Sequence, residues 1–97
     1  MTINGIDIDF KITKISDAEK FETAIKNLAV NEQKARLKCN DGSLVAALKS
    51  LIEVMQVFFI DATGVDVLAG CDDLQVAKET YIQFLAEIEE QKGKYID

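Results

Sequence analysis

The sequence predicts an α+β fold that is mainly α, with an N-terminal β-hairpin followed by three principal helices in a single domain over residues 1–97. Three observations predict it. An Asn4-Gly5 pair interrupts an alternating apolar run, three later segments keep apolar residues at three- and four-residue spacing, and turn or capping residues separate those segments. The 97 residues suffice for one core, and 48% hydrophobic against 29% charged residues is the balance of a folding chain.

The hairpin arm covers residues 1–12. Asn-Gly readily takes the two positive φ angles of a type I′ turn, which sets Ile3 opposite Ile6. Beyond the turn Ile6, Ile8, Phe10 and Ile12 alternate with Asp7, Asp9 and Lys11, the period of a strand with one buried face. Only Met1 to Ile3 precede the turn, so the longer arm is expected to keep an open edge around Phe10 to Ile12.

The first helix is expected over residues 17–39. Ser16-Asp-Ala-Glu19 matches a capping box, and Phe21, Ala24, Ile25, Leu28, Ala35 and Cys39 fall along one side. Asn40-Asp41-Gly42-Ser43 then mixes turn and N-cap residues ahead of a second helix over residues 43–61. Its core face is Leu44, Leu48, Leu51, Ile52, Met55, Phe58 and Phe59, with Lys49, Ser50, Glu53 and Gln56 opposite. Val57 and Ile60 project into that polar sector, with Val54 at its margin, and would meet water in an isolated three-helix unit.

Gly64 suits the second helix's C-cap, and Gly70 suits a stop after a short Val65-to-Ala69 turn. Asp72-Asp-Leu-Gln75 again resembles a capping box and opens a third helix over residues 73–91. Leu74, Ala77, Tyr81, Phe84, Leu85 and Ile88 form its stripe, and residues 92–97 are expected to fray.

Composition excludes whole classes of function. The chain has no histidine, the usual general base near neutral pH and the commonest transition-metal ligand. Its carboxylates mostly stand at caps or on polar faces, so no enzyme activity, metal or cofactor is expected. Asp61, Asp66, Asp72 and Asp73 lack the spacing of an EF-hand loop. Cys39 and Cys71 stand far apart and are read as reduced thiols. A net charge of −6 repels phosphate backbones, so nucleic acid is not an expected partner. No stretch approaches a membrane span and the first residues lack a secretory pattern, so a cytoplasmic protein is expected, without membrane association.

The layout resembles the small tail assembly chaperones of long-tailed phages and prophages of Gram-positive bacteria. The stretches that carry the likeness are Ile3-Asn-Gly-Ile-Asp-Ile-Asp-Phe10 and Phe58-Phe-Ile-Asp-Ala-Thr-Gly64, within a correspondence over most of residues 1–90. The resemblance implies a non-enzymatic chaperone in the bacterial host's cytoplasm. Such a protein coats the hydrophobic tape-measure protein before the tail tube polymerises.

A generic protein-protein interaction or regulatory, antitoxin-like module is the alternative, motivated by the acidic charge. Asp41-Gly-Ser-Leu44 before a helix motivates a third, acyl-carrier-like reading. For the first two a protein partner and a homo-oligomer are expected, with Val54, Val57, Ile60, Phe10 and Ile12 as the candidate partner-binding residues. The residues 17–38 carry Lys20, Lys26, Lys34, Arg36 and Lys38, whereas residues 61–90 hold Lys78 among eight acids, an asymmetry able to steer association.

Overall fold

A computed structural model describes residues 1–38 and 42–96, so Cys39, Asn40 and Asp41 of the expected turn lie outside the described residues, as does Asp97. Two short strands, β1 (Thr2–Ile3) and β2 (Ile6–Asp7), pair antiparallel and precede three helices, α1 (Ile15–Lys38), α2 (Leu44–Thr63) and α3 (Leu74–Tyr95). The mainly α, α+β architecture is the one that the turn pair and the three periodic segments predict.

The hairpin turn forms where Asn-Gly stands, with Asn4 at φ 52° and Gly5 at φ 76°, both in the left-handed region that a type I′ turn requires. Ile3 pairs with Ile6, and the Asn4 side-chain amide donates to the Val67 carbonyl at 2.8 Å, pinning the turn to a distant loop. The ladder is much shorter than the alternation suggests, pairing Thr2 with Asp7 and Ile3 with Ile6. Past Ile8, whose N–H donates to the Met1 carbonyl, the Phe10 N–H turns back to the Ile8 carbonyl at 3.1 Å. Alternation still sets direction: Ile8 and Phe10 are buried, while Asp7, Asp9 and Lys11 face out.

The open edge expected at Phe10 to Ile12 is therefore not realised. Side chains take up these amides instead: Asp17 Oδ2 accepts from Lys11 N at 3.0 Å and Gln91 Oε1 from Ile12 N at 2.9 Å. Asp17 thus fastens the chain's approach to α1. The helix begins at Ile15, with Ala18 N donating to the Lys14 carbonyl, so Ser16 lies inside the first turn and not at the cap expected of it.

Helix α2 is bounded as its sequence predicts. Ser43 Oγ accepts from Ala46 N at 3.2 Å, and Gly64, at φ 75°, closes the other end with its N–H on the Ile60 carbonyl. In α3 the cap falls one residue later than the capping-box pattern, on Asp73, whose Oδ1 accepts from Gln75 N at 2.9 Å. The fraying expected over 92–97 does not occur at Lys92–Tyr95, which remain helical. A single Gly93 costs only about 1 kcal/mol in a helix, and Lys92 and Lys94 favour the negative end of the macrodipole.

Six aromatic rings gather at the centre. Phe84 of α3 lies 5.3 Å from Phe10, 6.0 Å from Phe21, 5.9 Å from Phe58 and 5.4 Å from Phe59, all edge to face, and Tyr81 meets Phe58 at 5.1 Å. This geometry sets the positive edge of one ring on the negative face of the next. Val67 and Leu68, in the loop between Gly64 and Gly70, complete the core.

Candidate protein-binding surface

Helix α2 is covered on two sides, and the coverage decides which apolar residues remain available. One side faces α1: Asn31, Lys34 and Ala35 share a groove with Ser50, Glu53, Val54 and Val57. The other side meets the ring cluster and α3. The sector that periodicity gives to water is thus partly the α1 contact, which buries Val54 at 8% exposure and leaves Val57 half-buried. Ile60 remains 44% exposed.

The five sequence-derived contact residues do not form one surface. Phe10 is in the core at 3% exposure, against Phe84, and Ile12 is half-buried with its amide held by Gln91. Val57 lines the groove that α2 shares with α1, and Ile60 stays exposed.

The larger uncovered apolar surface lies on residues that periodicity assigns to the core. At 100° per residue Leu44, Leu48, Ile52, Met55, Phe59 and Ala62 fall within a sector of about 80° on α2. Ile52, Met55, Phe59 and Ala62 are buried, whereas Leu44 is 72% exposed, Val45 beside it 62% and Leu48 39%. The stripe is continuous, but α3 covers only its C-terminal part. Leu37, near the end of α1, adds a further exposed side chain at the same end of the molecule.

Val45, Leu48 and Ile52 form the apolar floor of a groove of about 490 Å³, whose other wall is Cys71 and Asp72 just before α3. Lys49, Glu53 and Gln56 line its edge. The Cys71 thiol is half-buried and donates to the Asp73 carbonyl at 3.4 Å. The sequence does carry a signal for this surface: the apolar run from Leu44 to Ile60 is longer than one crossing helix can cover.

Two of the four acids considered for calcium have local tasks. Asp66 Oδ2 accepts from Gln56 Nε2 at 2.8 Å, tying the loop to α2, and Asp73 caps α3. Among the described residues no group of three or more His, Cys, Asp or Glu side chains is placed to hold a metal ion, and no helix is long and apolar enough to cross a membrane. Ser43, of the carrier-like Asp41-Gly-Ser-Leu44, serves as the α2 cap, and Asp41 lies outside the described residues.

Packing perturbs the phenol of Tyr81. Burial raises its phenol above the ordinary value, and the Glu32 carboxylate on α1 raises it further. The folded chain holds this proton more tightly than the unfolded one. Its contribution to stability is therefore intact below about pH 10 and is lost as pH climbs through the folded-state value. An ultraviolet phenolate titration should show a late step that disappears in Tyr81→Phe and moves to lower pH in Glu32→Gln. A titration curve unchanged in shape by Tyr81→Phe would refute the assignment.

No protein-family model, curated protein or solved structure matches the chain.

Proposed function

We propose that this protein is a non-enzymatic tail assembly chaperone that covers an apolar helical segment of the tape-measure protein in the bacterial cytoplasm, and that the N-terminal half of α2 does the holding. The observation that carries the reading is the uncovered stripe Leu44, Val45 and Leu48, an extension of the seat that α3 already fills. A seat shaped for one helix fits the apolar face of another, the helix-in-groove mode of recognition. The resemblance in layout supplies the identity of the partner. The contact residues of this reading differ from those expected of the sequence alone: the stripe replaces Val54, Phe10 and Ile12, and Val57 and Ile60 become secondary.

Co-expression tests the proposal. The tape-measure protein of the same genome should stay in the soluble fraction with the native chain and fall out of it with a Leu44→Asp, Leu48→Asp variant. Each leucine buried against a partner contributes about 1.5–3 kcal/mol, so losing both weakens binding roughly a hundredfold or more. Aspartate at the start of α2 favours the helix macrodipole, and circular dichroism should report an intact fold. A variant that solubilises the tape-measure protein as well as the native chain does would sink this surface. A native chain that never keeps it soluble would sink the function.

A further inference from the structure

We propose that the Asn4-Gly5 turn is a spontaneous modification site, at which deamidation of Asn4 releases the loop between Gly64 and Gly70 from the hairpin. The side-chain amide of an asparagine is open to attack by the backbone nitrogen of the next residue, and a side chain on that residue hinders the approach. Gly5 has none, and a Cβ built on it would meet nothing within 4 Å. Both turn residues are exposed, so water and hydroxide reach them. Among the described residues the Gly5 N–H makes no hydrogen bond that would withhold it. Asn27 and Asn31 are poorer sites, because Leu28 and Glu32 follow them within α1, where side chains crowd the nitrogen and helix hydrogen bonds engage its proton.

The reaction balances with water alone. Hydroxide takes the Gly5 amide proton, the nitrogen attacks Cγ of Asn4 to close a five-membered imide, and Nδ2 takes a proton from water and leaves as ammonia. Water then opens the ring. Cleavage of the new N–Cγ bond leaves aspartate, and cleavage of the bond to the Asn4 main-chain carbonyl carbon leaves isoaspartate, whose main chain runs through Cβ and Cγ. Either product lacks the donor that holds Val67. Asn4 Nδ2 lies 2.8 Å from the Val67 carbonyl oxygen, and a carboxylate in its place sets acceptor against acceptor. Val67 and Leu68 are each 1% exposed, so the loop loses its tie to the turn while its apolar side chains still need cover. The same bond slows the reaction in the folded chain, because it limits the rotation that brings Cγ and the Gly5 nitrogen together. The turn is thus a latch that opens once and does not close again.

The test incubates the native chain in mildly alkaline buffer and follows it by peptide mass mapping. Asn4 should gain one mass unit well before Asn27 or Asn31, at a rate that rises with hydroxide and rises again in urea that frees the Asn4 amide from Val67. Part of the product should be isoaspartate, which an isoaspartate methyltransferase labels. The product carries one more negative charge, so anion exchange separates it from intact chain without unfolding either. Its folding equilibrium constant should be lower by roughly tenfold or more, read as an earlier urea midpoint. Asn4→Asp should reproduce that shift, and Asn4→Gly, which keeps the turn but has no amide to lose, should gain no mass at the turn. An Asn4 that stays intact while Asn27 or Asn31 reacts, or a rate that urea leaves unchanged, overturns the proposal. So does a deamidated fraction whose urea midpoint equals that of the intact chain, a comparison that stands even if Asn4→Asp fails to fold.

Discussion

Replacing Phe84 by alanine should lower the free energy of unfolding by about 3–5 kcal/mol, a large share of the roughly 5–15 kcal/mol expected of a domain of this size. Phe84 is fully buried and its ring touches those of Phe10, Phe21, Phe58 and Phe59. These four come from the N-terminal segment, α1 and α2, so one side chain of α3 joins every other layer of the fold. Removing it deletes the transfer free energy of the ring and leaves a cavity that four rigid rings cannot close. Urea denaturation followed by far-ultraviolet circular dichroism measures the loss. A change below about 1 kcal/mol would show that the ring cluster does not organise the core.

Much of this arrangement is legible in the sequence, because it depends on local chemistry. Asn4-Gly5 fixes its own backbone angles, Ser43 and Gly64 satisfy the ends of α2, and the spacing of Phe21, Met55, Phe58 and Phe84 assigns each to an inward face. The remainder depends on neighbours. Periodicity states which residues share a face but neither what covers that face nor how far along the helix the cover extends. Periodicity puts Val54 at the margin of a solvated sector, yet it is buried because α1 lies over it, whereas Leu44 and Leu48 share the core sector and stay exposed because α3 starts further along. Val67 and Leu68 lie in too short a segment for any period to register, and their burial follows from the Asn4 amide holding the loop against the hairpin turn. The candidate surface was legible only as a surplus of apolar residues on α2; its position was not.

The sharpest consequence of that offset is a contrast within one helix. Phe59→Ala should cost about 3–5 kcal/mol of stability, whereas Leu44→Ala, four turns away in nearly the same sector, should cost under about 0.5 kcal/mol. Phe59 is fully buried against Phe58 and Phe84, so its truncation opens a cavity. Leu44 is 72% exposed at the first position of α2, and alanine there removes little contact and has a higher helix propensity. A helix whose stripe served folding alone would lose stability at both positions. The contrast assigns the C-terminal half of the stripe to the core and frees the N-terminal half for binding, where Leu44→Ala should weaken a partner's hold by about tenfold while leaving the urea midpoint in place. Equal losses of stability at the two positions would place Leu44 in the core and remove the basis for a binding stripe.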